Sequence, residues 1–215
     1  MHSGPITPFA GTDATVFVVD DHPSVRSALN RLLEAIGLRC ETFASGSQFL
    51  DRLARGATGC VLLDVRMPGL SGLDVQQRML AQGDDLPIIF LTAYADVAMT
   101  VRAMKAGAVE VLTKPFEEQP LLDAVQQALE RERERRTARE ERRRYRDCLE
   151  TLTAREREVM RLVVTGLLNK QVADMLGTAE KTVKAHRAQV MHKMHAGSLA
   201  ELVRMVHRFD APPEG

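Results

Sequence analysis

The chain has 215 residues, 45% of them hydrophobic, which is enough to bury a core in one or two ordinary domains. Its apolar runs are shorter than the roughly 18 to 20 residues that cross a bilayer, and its first residues lack a signal-peptide core, so we expect a cytoplasmic protein with no membrane partner. The net charge of zero conceals an acidic part up to residue 130 and a basic remainder, a division that indicates separate modules.

Residues 1–14 are expected to be a flexible N-terminus, and residues 15–128 a predicted α/β domain. Short β-rich runs alternate there with helical stretches that end near a glycine, which is typical of repeated βα units. The runs are TVFVVD (15–20), RCETF (39–43), CVLLD (60–64), PIIFLTA (87–93) and VEVLT (109–113). The sequence therefore predicts a doubly wound, five-stranded parallel sheet, a fold that binds ligands at the carboxyl ends of its strands.

Polar side chains end several of these runs. Asp20 and Asp21 end the first run and Asp64 ends the third, and carboxylates at one edge repel one another unless a cation lies among them. These carboxylates offer oxygen ligands with no histidine or cysteine nearby, and such ligands suit Mg²⁺, with Mn²⁺ as an alternative. Thr92 and Lys114 add a hydroxyl and an ammonium at other strand ends. Such a group can stabilise the charge of a transferring phosphoryl group, with one carboxylate as the nucleophile.

The acidic pair, the stretch LLDVRMPGLSG around Asp64, LTA at Thr92 and KPF at Lys114 resemble the receiver domain of two-component response regulators, which has a flavodoxin-like fold. The resemblance implies that Asp64 is the phosphoacceptor and that the protein is not an enzyme beyond slow hydrolysis of its own phosphoryl group. It implies further roles: Asp21 and Asp64 as direct metal ligands, Asp20 as a ligand through water, the Arg66 backbone carbonyl as another ligand, and Thr92 and Lys114 as contacts to the phosphoryl oxygens.

One position departs from the receiver pattern. Many receivers carry an aromatic switch residue three positions before the lysine, where this chain has Val111. The aromatic form of the switch therefore does not carry over to this chain. Thr92 can still move toward the phosphoryl group, with Val111 adjusting by packing.

Residues 129–150 are predicted to be a helical linker. After Leu129 the apolar stripe ends and charges dominate, with the pairs Glu132/Arg136 and Glu140/Arg144 in the favourable i,i+4 order. A solvated charged helix explains this composition better than a basic nucleic-acid arm, because glutamates are interspersed through the run.

Residues 151–208 form a second predicted domain, small and all-α, followed by a flexible tail over 209–215. The domain opens with TARE, a capping box of Thr153 and Glu156, and two of its helices are joined as a helix-turn-helix. The longest helix has an inward face made of Val183, His186, Val190 and Met194. Its outward face is then made of Lys181, Lys184, Ala185 and Ala188.

Nearly all of this domain, LTAREREVMRLVVTGLLNKQVADMLGTAEKTVKAHRAQVMHKM, resembles the LuxR/NarL/FixJ-type DNA-binding domain. The outward face is expected to enter a major groove of double-stranded DNA. Base contacts are expected from Lys184, Ala185 and Ala188. Phosphate contacts are expected from Asn169, Lys170, Lys181, Thr182 and Arg187.

Receiver, linker and DNA-binding domain in this order most resemble the FixJ-type response regulators. The resemblance implies a sensor histidine kinase that phosphorylates Asp64, a homodimer formed through the surface of residues 97–118, paired DNA half-sites and contact with the transcription machinery. Two other functions stay open. One is a DNA-binding regulator that works without phosphorylation and uses its receiver as an interaction module. The other is a phosphohydrolase that acts on small phosphate esters.

Overall fold

The computed structural model describes residues 14–53, 56–94 and 96–210. The chain divides into two compact units, Met1–Arg135 and Arg136–Gly215. Most of the two ends expected to be flexible, residues 1–13 and 211–215, lies outside the described residues. Of their remainder, Ala14 is buried and the last helix continues to Asp210. Among the described residues, no helix has the length and apolar composition needed to cross a membrane.

The first unit is built on a five-stranded sheet whose strands all run parallel, in the order β2-β1-β3-β4-β5. The strands are β1 (Thr15–Val19), β2 (Arg39–Phe43), β3 (Gly59–Asp64), β4 (Ile88–Thr92) and β5 (Glu110–Thr113). Each lies within its predicted run, except that β3 begins one residue earlier, at Gly59. The prediction of a doubly wound parallel sheet is confirmed.

Helices cover both faces of this sheet. They are α1 (Pro23–Ala35), α2 (Gly46–Arg52), α3 (Gly72–Gln82), α4 (Val97–Lys105) and the long α5 (Glu118–Glu150). Successive strand residues point to opposite faces, so Val16 and Val18 join α1 and α5 in one apolar layer, whereas Phe17 and Val19 join α2, α3 and α4 in the other. The strand order reverses at β1 and β3, and ligands of such sheets bind beyond the carboxyl ends of the strands at that point.

The second unit is all-α. Beyond the end of α5 it contains α6 (Ala154–Val163), α7 (Asn169–Leu176), α8 (Glu180–Lys193) and α9 (Leu199–Asp210). The predicted capping box is confirmed: the Thr153 hydroxyl accepts from the Glu156 amide at 3.3 Å, and the Thr153 amide donates to the Glu156 carboxylate at 2.8 Å. Gly177 adopts a left-handed φ of 60° that ends α7 and leads into α8, as the helix-turn-helix requires.

The segment 129–150, predicted to be a linker, is helical throughout as part of α5. Its two ends are packed rather than solvated. Leu129 belongs to an apolar layer of the first unit. Tyr145 is 3% exposed, and its ring lies 5.1 Å from that of Phe209 in the second unit. The packed second unit therefore begins before residue 151, because the end of α5 supplies part of its core.

Candidate functional site

The carboxyl ends of four strands bring together polar side chains that the sequence singled out. Asp20 follows β1 and is wholly buried, Asp64 ends β3 and is 4% exposed, and Thr92 ends β4 and is also wholly buried. Lys114 follows β5. Parallel strands end at the same edge of a sheet, so a lysine that is 94 and 50 positions from the two aspartates reaches both of them.

Lys114 links the two buried carboxylates. Its Nζ donates to Asp20 Oδ2 at 2.5 Å and to Asp64 Oδ2 at 2.8 Å. Burial pulls the pKa of the Lys114 ammonium down, but the hydrogen bonds to Asp20 and Asp64 and their negative charges outweigh burial, so the pKa lies above its ordinary value. The site therefore contains a fixed cation in contact with both carboxylates.

The loops that follow the strands hold the other oxygens of these carboxylates. Asp64 Oδ1 accepts from the Arg66 amide at 3.1 Å, and Asp20 Oδ1 accepts from the His22 amide at 2.8 Å. Arg26 on α1 donates from Nη1 to the Asp20 carbonyl oxygen at 2.6 Å. Asp64 thus accepts a hydrogen bond from a lysine at one carboxylate oxygen and from a backbone amide at the other. The role of the Arg66 carbonyl as a metal ligand stays a prediction.

The carboxylates Asp20, Asp21 and Asp64, which we call the acidic cluster, are close enough to share one cation. Together with His22, each offers one ligand atom, and these atoms all lie within 4.8 Å of one another. Asp21 Oδ1 is shielded from solvent and accepts no hydrogen bond from any described residue; His22 Nδ1 lies 2.9 Å from it, a charged contact only when the ring is protonated. This donor set fits a divalent cation such as Mg²⁺.

His22 is the residue that the sequence interpretation missed. The strand-end carboxylates predict a site of oxygen ligands alone with no histidine nearby, although His22 directly follows the acidic pair. Adjacency in sequence was the signal that could have found it. The structure places its imidazole beside the Asp21 carboxylate, at the edge of the acidic cluster.

Thr92 is directed toward its own loop. Its hydroxyl donates to the Tyr94 carbonyl at 3.0 Å and accepts from the Tyr94 amide at 3.2 Å, while the Tyr94 side chain is 74% exposed. Val111 lies opposite Phe90 in the pairing of β4 with β5 and is half-buried in the apolar layer of α2, α3 and α4. A movement of Thr92 toward Asp64 would therefore exchange two local hydrogen bonds for new ones.

The second unit carries the predicted DNA-reading surface on α8 and at the start of α7. Val183, Val190 and Met194 are buried and His186 is half-buried, so the apolar stripe of α8 faces the core. The opposite face of α8 is exposed, and its predicted DNA contacts are Lys181, Thr182, Lys184, Ala185 and Ala188. Their contacts with DNA remain predictions.

Two polar contacts organise this surface. Arg187 on α8 donates from Nη1 to Asn169 Oδ1 on α7 at 3.2 Å, and Lys184 Nζ lies 3.0 Å from Glu180 Oε1 one turn earlier on α8. Lys170, which follows Asn169, is exposed. The Arg187–Asn169 contact places the predicted contacts of α7 beside those of α8.

Family models match both units of the chain. A model described as the response regulator receiver domain matches residues 16–126, and a model of bacterial regulatory proteins of the luxR family matches residues 150–206. Nodulation protein W of Bradyrhizobium diazoefficiens is 51% identical over 196 residues, which cover 91% of this chain and 86% of that protein. The similarity therefore includes both units.

Two solved structures of response regulators are also similar over most of the chain. The structure of the response regulator StyR is 49% identical, with a TM-score of 0.86, and the match covers 92% of this chain and 100% of that chain. Full-length FixJ from B. japonicum is 37% identical, with a TM-score of 0.57, and the match covers 94% of this chain and 99% of that chain. In both relatives, as here, the two units occur in one chain.

Proposed function

Because the chain belongs to the two-component response regulators that combine a receiver with a LuxR-type DNA-binding domain, we propose that Asp64 is its phosphoacceptor and that a sensor histidine kinase is the donor. Phosphorylation of Asp64 then controls dimerisation and sequence-specific DNA binding. The observation that carries this proposal is the setting of Asp64, a buried carboxylate at the end of β3 whose Oδ2 lies 2.8 Å from Lys114 Nζ.

The chain's own groups account for the transfer. A carboxylate oxygen of Asp64 forms a bond to phosphorus while the bond from phosphorus to the kinase histidine nitrogen breaks. Lys114 neutralises the phosphoryl oxygens, and the Arg66 amide is a further donor at this edge. The Thr92 hydroxyl would join them by leaving the Tyr94 carbonyl. When Mg²⁺ is bound, the acidic cluster would hold it, and it would supply further positive charge. Water then cleaves the acyl phosphate slowly, which resets the switch.

A groove beside Lys114 supports docking of the kinase. It has a volume of about 540 Å³ and lies between α1 and the turn from β5 to α5, where its lining residues are Val25, Ala28, Leu29, Leu32, Lys114, Pro115, Phe116 and Glu118. The phosphorylated histidine must reach Asp64, so the kinase has to cover the rim of this site. The largely apolar groove reaches that rim at Lys114, which suits a protein partner.

Exposed apolar side chains on α4 support the proposed homodimer. Val97, Val101 and Met104 are 81%, 44% and 42% exposed, and their spacing of four and three residues puts them on one face of the helix. Tyr94, which precedes α4, is exposed as well. Exposed apolar groups of this kind gain free energy when a second copy covers them. They lie in or beside the surface of residues 97–118.

On DNA, the two α8 helices of the dimer would lie in major grooves of half-sites about one helical turn apart. Lys184, Ala185 and Ala188 would face base edges. The phosphate contacts would come from Asn169, Lys170, Lys181, Thr182 and Arg187. The exposure of the α8 residues other than the half-buried Arg187 supports this arrangement, since side chains that bind DNA must be reachable in the free protein. A dimer held on its operator would then contact the transcription machinery.

Val111 favours a second candidate function. Without an aromatic residue at this position, and with Thr92 bonded to Tyr94, the receiver could serve as an interaction module of a regulator that works without phosphorylation. The Lys114 contact with Asp64 argues against this alternative, because an interaction module has no need of a cation on a buried carboxylate.

Sedimentation of the full chain with Mg²⁺, with and without the phosphoryl mimic beryllofluoride, tests the proposal. We expect the mimic to convert monomers to dimers, the Asp64→Asn variant to stay monomeric, and a control variant at an exposed aspartate of α2, Asp51→Asn, to respond like the parent. A chain that binds the mimic without a change in mass, on or off DNA, would favour the phosphorylation-independent regulator.

A further inference from the structure

His22 occupies the position before α1, where a short polar side chain usually caps the helix. The structure gives its imidazole no capping hydrogen bond to α1 within the described chain. The backbone is nevertheless fixed, because the His22 amide donates to Asp20 Oδ1 at 2.8 Å and the Arg26 amide donates to the His22 carbonyl at 3.2 Å. The backbone therefore positions the imidazole at the edge of the acidic cluster, although the imidazole does not cap the helix.

The ring nitrogen and two carboxylate oxygens have the spacing of neighbouring ligands on one ion. His22 Nδ1 lies 2.9 Å from Asp21 Oδ1 and 3.4 Å from Asp20 Oδ1. Ligands about 2.1 Å from an octahedral ion and at right angles to each other are separated by about 3 Å. The oxygen closest to the ring, Asp21 Oδ1, is shielded from solvent and accepts no hydrogen bond from the described residues, so it has a free lone pair for an ion.

A hydrogen bond from the ring Nδ1–H to Asp21 Oδ1 is the competing explanation of this distance. Such a bond would leave the His22 side chain as a surface partner of one carboxylate. The side chain is 64% exposed, which suits either role. The two explanations differ in what happens when a metal enters, because a ligand binds the ion and a hydrogen-bonding partner does not.

We infer that His22 is a ligand of the metal ion at the acidic cluster, and that it biases the site toward divalent transition ions over Mg²⁺. Imidazole adds little to Mg²⁺ affinity, whereas it strengthens binding of later first-row ions such as Ni²⁺. The inference rests on the proposed function, because the acidic cluster must hold a metal before His22 can bind it. The expected ligand chemistry is one imidazole nitrogen among carboxylate oxygens.

Pulsed electron paramagnetic resonance of Mn²⁺ bound to the full chain detects a coordinated imidazole through its nitrogen coupling. We expect a nitrogen coupling that changes when the histidines alone are labelled with ¹⁵N and that is absent from His22→Gln. The control His192→Gln, at an exposed histidine of α8, should keep it. Calorimetry should show Ni²⁺ binding at least about tenfold weaker in His22→Gln, since loss of even an outer-shell partner of a metal ligand costs about 10- to 100-fold, with Mg²⁺ binding unchanged.

The variants of the acidic cluster separate the two levels of the argument. Mn²⁺ that binds the parent and is lost in Asp21→Asn and Asp64→Asn, but shows no histidine nitrogen coupling, would overturn the role of His22 and leave the proposed acceptor site standing. Mn²⁺ and Mg²⁺ binding that these two variants do not affect would overturn both. A coupling that survives in His22→Gln would assign the nitrogen to another histidine and equally overturn the inference.

Discussion

The acidic cluster with Lys114 and the predicted DNA-reading surface on α8 both carry charged side chains, yet they are built in opposite ways. In the first, Asp20 and Asp64 are buried, and both bind Lys114, which is distant from them in the sequence. In the second, Lys181 and Lys184 are exposed, and the partner of Lys184 is a glutamate one helical turn away. Phosphoryl transfer needs groups fixed before the reaction, whereas DNA recognition needs a fixed helix whose side chains can still adjust.

The difference also decides how strongly each region depends on single side chains. A buried charge that loses its partner remains buried and uncompensated, which costs several kcal/mol. An exposed charge that loses its partner is solvated by water, and pairs of exposed charges contribute about 0 to 1 kcal/mol. Stability measurements should therefore report mainly on the first region, and DNA-binding measurements on the second.

Lys114→Met should have the largest effect on stability. It leaves Asp20 and Asp64 facing each other without a cation, so we expect the free energy of unfolding of the first unit to fall by about 3 kcal/mol in metal-free buffer. Mg²⁺ should restore much of the loss, since the ion replaces the missing positive charge. Hydrogen exchange of β1 and β3, measured by mass spectrometry, follows this unit separately from the other.

Lys105→Met, at an exposed lysine of α4, is the matched control and should cost less than about 0.5 kcal/mol. Equal effects of the two variants, or a Lys114→Met variant that Mg²⁺ does not stabilise, would contradict the view that the ammonium compensates buried carboxylates.

The sheet and the polar side chains at its edge could be predicted from the sequence because both depend on local signals. A β-rich run that ends in a polar residue fixes both the strand and the position of that residue, so Asp20, Asp64 and Thr92 were found without knowledge of packing. The boundary of the second unit could not be predicted in this way. Tyr145 follows three consecutive arginines, and its burial depends on Phe209, which no local pattern connects to it.

The contacts of individual side chains could not be predicted from the sequence either. The bonds of Thr92 to the Tyr94 backbone depend on the path of the loop after β4, which periodicity does not specify. The His22 ring lies beside Asp21 because α1 begins at Pro23 and fixes the turn before it. Residue type and spacing identify which groups gather at an edge, whereas the loop geometry decides which atoms meet.

Gly72→Ala should have the next largest effect, because it disturbs the backbone at the end of β3, where Asp64 lies. A β-carbon at Gly72 would press against the Asp64 carbonyl oxygen and lie 3.1 Å from the Phe90 ring. We expect a loss of about 2 kcal/mol in the first unit, as for other overpacked sites, together with weaker binding of beryllofluoride. Gly197→Ala is the control, since its β-carbon would meet only the flexible end of Glu201 at 3.4 Å. A stable variant with normal binding would show that the end of β3 tolerates displacement.

On the predicted DNA-reading surface, Lys184→Ala should reduce sequence discrimination, whereas Lys181→Ala should reduce affinity for all sequences. On DNA sites selected by the parent protein from random sequence, Lys184→Ala should lose about 1.5 kcal/mol of discrimination at one base position. Lys181→Ala should weaken binding to all sequences alike and reduce the salt dependence by about one unit of slope. Titrations of parent and point-changed sites at several salt concentrations measure both. The same loss in both variants would remove the assignment of Lys184 to bases and Lys181 to phosphates.

The smallest effect is expected at the capping box of α6, in which Thr153 is exposed and Glu156 is buried. Thr153→Ala removes the acceptor for the Glu156 amide and should cost the second unit about 1 kcal/mol. The chain has two tyrosines and no tryptophan, so in a Tyr94→Phe background the fluorescence of Tyr145 follows urea unfolding of this unit. Ser198→Ala tests a second hydroxyl that accepts a backbone amide, that of Glu201.

The pH dependence of the same unit distinguishes the cap from the ion pair beside it. The hydrogen bond from Lys193, at 2.7 Å, and those from Thr153 hold the pKa of Glu156 below its ordinary value. A carboxyl whose pKa is lower in the folded state adds stability above its unfolded pKa of about 4.3 and loses it as the pH falls through the folded pKa. Thr153→Ala, which keeps Lys193, should still lose most of this stability at low pH. Lys193→Met should make the stability of the unit nearly independent of pH in this range. An acid-induced loss that disappears in Thr153→Ala but persists in Lys193→Met would mean that the cap, rather than the ion pair with Lys193, sets the acid stability of the DNA-binding unit.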